Sequence, residues 1–74
     1  MMAELTQRER EVLLRIFRGF SNKEIAQELS CALKTVECHV TSILRKVGAE
    51  SRLQLAVSEH LRLRVFPDSG ASGA

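Results

Sequence analysis

Lys34, Glu37, Cys38, Thr41, Ser42 and Arg45 recur three or four residues apart in overlapping pairs, so a helix through them carries all six on one solvent face. Short or polar groups hold the middle of that face, and cations stand near its two ends. A helix entering a duplex groove needs this distribution, because base edges are read by hydrogen bonds and the flanking phosphates by charge. The plain alternative is a solvated helix face, which periodicity alone favours.

Other reactive side chains do not assemble into a site. Cys31, Cys38, His39 and His60 are metal-ligand types, but a structural zinc takes four ligands, typically as two close pairs. Cys38 and His39 are neighbours on one helix and point about 100° apart, and His60 falls in another helical pattern. No metal and no cofactor are expected. His39 stands three residues from both Val36 and Ser42, at the edge of an apolar stripe. A packing and hydrogen-bonding role is preferred there over a DNA contact. No nucleophile–base pair, glycine-rich phosphate loop or paired-carboxylate site is recognisable, so an enzyme is not expected.

The elements that must carry the exposed face are marked by their ends. Thr6 with Glu9, and Ser21 with Glu24, are two capping boxes, in which each side chain satisfies the other residue's free backbone N–H. Behind the first, Val12, Leu13, Ile16 and Phe17 recur at helical spacing up to Gly19, which predicts a helix over about residues 7–18. Behind the second, Phe20 and Ile25 form a hydrophobic staple, and Ile25, Ala26 and Leu29 predict a short helix over about 22–29. The third pattern, Val36, Val40, Ile43, Leu44 and Val47, ends at Gly48. Ser51 with Gln54 opens a fourth helix over about 52–63, and Pro67 limits its extension. A short helix, a tight turn and a longer helix make the outline of a helix-turn-helix, with Ala26 small enough to let the pair approach closely. The fold class is all-α, one domain over residues 1–66, with 67–74 (PDSGASGA) a disordered tail.

Composition agrees without deciding. At 74 residues the chain builds one domain with a thin core. The net charge of +2 is a weak clue, and the placement of the basic residues matters more. Three Phe and no Trp or Tyr disfavour the stacking platforms of single-strand and RNA binders. No apolar run is long enough to span a bilayer, and the charged N-terminus lacks the pattern of a secretory signal. Two cysteines fit a reducing cytoplasm better than a disulfide scaffold.

The run of residues 5–57 resembles the LuxR-type DNA-binding domain, also called GerE-like or NarL/FixJ-type. Leu5-Thr6, Arg8-Glu9-Arg10-Glu11-Val12-Leu13, Gly19 and Ser21-Asn22-Lys23-Glu24-Ile25-Ala26 carry the likeness. It continues through Thr35-Val36, His39, Ile43, Lys46 and Arg52 without a gap. The resemblance implies a four-helix domain whose third helix reads the major groove and whose fourth often pairs two copies. It implies groove contacts from Glu37, Cys38 and Thr41, with Lys34, Thr35, Ser42 and Arg45 near enough for phosphate or base contacts. Asn22 and Lys23 match residues that hold the DNA backbone, which suits the anion-attracting start of a helix. Lys46 and Arg52 are either phosphate contacts or intradomain salt-bridge residues. The Arg8–Glu11 run is a solvated, salt-bridged face, or it pairs internally with the fourth helix. Leu53, Val57 and Leu61 form a stripe that either pairs two copies or is itself core, while Leu55 and Ala56 match core-facing positions.

Four residues depart from the family pattern. Ala32 stands where a Ser or Thr usually caps the third helix. Cys31 replaces an aliphatic core residue, and Glu59 falls where a small apolar residue is usual. Glu37 replaces a common Lys, so it either accepts from a cytosine amino group or turns back to pair with Lys34 or Arg45. The expected function is sequence-specific double-stranded DNA binding for transcription regulation, as the output domain of a bacterial response regulator or a stand-alone regulator. Its expected partners are duplex DNA and a second copy, with RNA polymerase a further candidate. A helical protein–protein interaction module and a sigma-factor region-four-like domain are the alternatives. Neutralising about five to eight phosphates gives a log–log salt slope of roughly −5 to −7; an apolar protein contact gives a slope near zero.

Overall fold

Three of the helix starts read from the sequence are built from side-chain caps. In the computed structural model, which describes residues 4–66, α1 spans Gln7–Phe17, α2 Asn22–Leu29, α3 Leu33–Val47, α4 Arg52–Val57 and α5 Glu59–Val65. Thr6–Glu9 and Ser21–Glu24 close both capping boxes, and Ser51 Oγ accepts from the Gln54 amide at 3.2 Å. The first helix ends one residue before the expected Arg18, which serves as its C-cap. The expected tail, 67–74, lies outside the described residues.

The fourth helix is two helices, not one. Ser58 adopts extended geometry (φ −80°, ψ 95°), and its side chain accepts from the Leu61 amide at 3.1 Å, opening α5. In an unbroken helix Val57 and Leu61, four apart, would share a face. The interruption turns Val57 outward, 68% exposed, and Leu61 into the core, 7% exposed. Leu61 therefore leaves the expected pairing stripe. Ala56, expected to face the core, is exposed, whereas Leu55 is fully buried as expected.

The core joins every helix. Val12, Leu13 and Ile16 of α1 meet Ile25 and Ala26 of α2, Val36, Val40 and Ile43 of α3, Leu55 of α4, and Leu61 and Val65 of α5. Each such large apolar side chain stabilises the fold by about 1.5–3 kcal/mol. Cys31 packs against this core, as a free thiol can. Packing on both α1 and α2 fixes the roll of α3, and hence which of its residues face water.

Ser30 makes the turn between α2 and α3. It is the one non-glycine residue with positive φ (54°) among the described residues. Its amide donates to the Gln27 carbonyl and the Cys31 amide to the Ala26 carbonyl, so two of the carbonyls ending α2 are satisfied. Leu33 then begins α3 three residues after Ser30, with Ala32 giving no side-chain cap.

Candidate nucleic-acid interface

With Val36, Val40 and Ile43 buried, the opposite side of α3 is set by the 100° step of the helix. Lys34, Glu37, Cys38, Thr41 and Arg45 are exposed there, and with Ser42 they line one shallow surface hollow. From Lys34 to Arg45 the strip runs about 16 Å at 1.5 Å per residue. Thr35 is also exposed, on the flank of the strip nearer Ser42. His39 is half-buried. Among the described residues Glu37 makes no ion pair with Lys34 or Arg45.

Four predicted site residues, Ser42, Lys46, Arg52 and Asn22, are engaged inside the domain. Ser42 donates to Glu9 Oε2 at 2.7 Å, and Lys46 Nζ donates to Glu9 Oε1 at 2.8 Å. Of the two roles left open for Lys46, it takes the intradomain salt bridge. Arg52 is also engaged inside the domain, by hydrogen bonds to neutral acceptors and not by an ion pair: one end of its guanidinium donates to Asn22 Oδ1 and the other to the Phe20 carbonyl. Burial pulls the Arg52 pKa below its ordinary value, though a guanidinium stays charged near neutrality.

Glu9 is the residue the sequence underrates. Only 4% exposed, it accepts from the Thr6 amide at 2.9 Å as well as from Ser42 and Lys46. Burial alone would raise its pKa. The hydrogen bonds from Lys46, Thr6 and Ser42, with the Lys46 charge, outweigh it and lower the pKa to about 2. The side chain that caps α1 thus also ties that helix to Ser42 and Lys46 of α3. The Arg8–Glu11 run is accordingly mixed. Arg8 and Glu11 form an exposed bridge at 2.9 Å, and Glu9 turns inward to α3. Arg10 reaches α5, donating to the Val65 carbonyl at 3.1 Å with its guanidinium over the Phe66 ring.

The start of α2 carries the other predicted DNA-backbone residues. Lys23 is exposed, Asn22 half-buried, and Glu24 is turned back to the Ser21 amide at 2.8 Å. Lys23, Lys34 and Arg45 are thus exposed cations that take part in no ion pair among the described residues. Away from this surface, Leu53 is 71% exposed and stands with Val57 on the outside of α4. Among the described residues no three His, Cys, Asp or Glu side chains could share a metal ion, and no helix is long and apolar enough to cross a membrane.

Comparison with known proteins places this geometry in context. The family described as bacterial regulatory proteins, luxR family, matches residues 3–58. Transcriptional regulatory protein LiaR of Bacillus subtilis (strain 168) is 48% identical over 56 residues, covering 76% of this chain and 26% of that protein. Response regulator protein VraR of Staphylococcus aureus (strain Mu3 / ATCC 700698) is 45% identical over 53 residues, covering 72% of this chain and 25% of that protein. VraR of Staphylococcus epidermidis gives the same figures. The chain spans about a quarter of the length of these relatives. All of α5, Glu59–Val65, lies past the residues that the family matches.

Proposed function

This chain belongs to the luxR family of bacterial regulatory proteins, and from that premise we propose that it binds duplex DNA sequence-specifically, as the DNA-reading part of a transcription regulator. The observation that carries this reading is the division of labour among its polar residues. Ser42, Lys46 and Arg52 are spent on holding α3 and α2 in place, while Lys34, Glu37, Cys38, Thr41 and Arg45 are left facing water. In the major groove Glu37, Cys38 and Thr41 meet base edges, and Lys34 and Arg45 meet phosphates beside Thr35. Asn22 and Lys23 hold the backbone from the start of α2.

The relatives, a transcriptional regulatory protein and a response regulator, support a wider setting. The chain serves as the output part of a response regulator in a two-component system, or as a regulator by itself. One α3 covers a half-site, so two copies bind a repeat, paired through the exposed Leu53 and Val57 of α4. RNA polymerase is a further partner. Two free cysteines and the absence of a membrane-crossing helix among the described residues suit a reducing, cytoplasmic compartment. The role is binding, not catalysis.

Selection of bound sequences from a random duplex pool tests the reading. The enriched pool converges on two copies of a short motif in inverted or direct repeat. A pool that stays random contradicts it.

A further inference from the structure

Arg52 opens α4, yet both of its hydrogen-bonding partners belong to the segment that leads into α2. Nη2 donates to the carbonyl of Phe20, and Nη1 donates to the carboxamide oxygen of Asn22. These acceptors flank Ser21, the N-cap of α2. A guanidinium has five donors and no acceptor, so the Asn22 atom facing it is the oxygen; the flipped amide would set N–H against N–H. The Asn22 NH2 group is then committed to the other side of the amide plane. It has no protein partner among the described residues, and no buried polar side-chain atom there lacks one, so it is open to water. Beside it are the exposed Lys23 side chain and the first amides of α2, which a helix start leaves unpaired.

We propose that Arg52 is a positioning residue for DNA binding: it locks the Asn22 carboxamide with its oxygen inward and its NH2 group outward, as a preset donor to a backbone phosphate. The proposal rests on the reading of Asn22 as a backbone contact. It gives Arg52 a part in affinity although the guanidinium touches no DNA. A phosphate that loses a neutral amide donor releases no fewer counterions, so Arg52 adds to affinity and not to its salt dependence. Preorganisation is the source of the gain, because a free carboxamide must otherwise be ordered on binding.

The test is a double-mutant cycle on duplex affinity, using Arg52→Met, which keeps the apolar stem, and Asn22→Ala in this chain. Arg52→Met alone weakens binding about tenfold with the log–log salt slope unchanged. In the Asn22→Ala background the same substitution weakens binding less than twofold, although it still lowers the melting temperature. An equal loss in both backgrounds overturns the proposal in favour of a merely structural Arg52. A slope shallower by about 0.9 overturns it in favour of a direct Arg52–phosphate contact. Should Arg52→Met fail to fold, the unaltered chain decides the matter. Its Asn22 side chain holds a single χ1 rotamer in the free protein, read from three-bond couplings, and its NH2 signals shift on adding a duplex of arbitrary sequence; rotamer averaging in the free protein, or NH2 signals that do not move, overturns the proposal. A chain that binds no duplex at all defeats the proposed function itself, whereas duplex binding with additive losses defeats only the role of Arg52.

Discussion

At the scale of single residues, Glu9 holds the most consequence. Its capping-box role is readable from Thr6 three positions earlier, but its hold on Lys46 joins residues 37 apart and leaves no local signal. Lys46 and Arg52 looked equally suited to phosphates for the same reason, since sequence shows a cation but not the acceptor that claims it. Glu9 has a folded pKa of about 2 against an ordinary 4.5. Its contribution is therefore complete above about pH 5 and is lost as pH falls from 4.5 through 2, an amount on the order of 3 kcal/mol. Urea unfolding of the parent and Glu9→Gln between pH 7 and 2 checks this. The parent's advantage shrinks towards zero across that window, and an advantage constant with pH contradicts the account. Glu37 carries a different prediction. Free of Lys34 and Arg45, a carboxylate facing DNA needs a donor, most simply a cytosine amino group. Glu37→Ala then broadens the selected sequence at one base pair, with about 1–3 kcal/mol of discrimination lost and non-specific affinity slightly raised. Identical selected sequences for both proteins make Glu37 an electrostatic bystander.

At the scale of elements, legibility followed the caps. Helices one and two were readable nearly to the residue because Thr6–Glu9 and Ser21–Glu24 are reciprocal boxes with apolar periodicity behind them. The fourth helix reads as continuous in the sequence but is broken at Ser58. Ser58 followed by Glu59 is a helix-start signal, but Leu61 stands where a capping box wants Glu or Gln, so the signal lacks its second half. That omission also placed Leu61 in the pairing stripe. The third helix shows the converse case, a start with no side-chain cap at Ala32. Ala32→Ser supplies an acceptor to the first free amides of α3 and stabilises the domain by about 0.5–2 kcal/mol. Thermal melts check this, and an unchanged melting temperature means the uncapped amides of α3 are adequately served by water.

At the scale of the whole molecule, the net charge of +2 says little, while the disposition of the charges says much. The core and the helix order were readable because apolar periodicity reports burial directly. Which polar surface remains free was not, since that depends on contacts between distant elements. Leu53 and Val57 leave an exposed apolar stretch on α4 that is not covered by the described residues. Val57→Asp therefore keeps full helical content by circular dichroism and loses cooperative binding to paired half-sites; loss of helicity instead contradicts an exposed pairing surface. With Lys46 and Arg52 engaged inside the domain, the expected salt dependence changes as well. Lys23, Lys34 and Arg45 remain as free cations, and neutralising about three phosphates per domain gives a log–log slope near −2.7. The most direct test of the central claim is therefore the dissociation constant for a single half-site duplex, measured by fluorescence anisotropy across a salt series. The account predicts a slope of about −2.7 per bound domain, and a slope near zero contradicts duplex binding through this face.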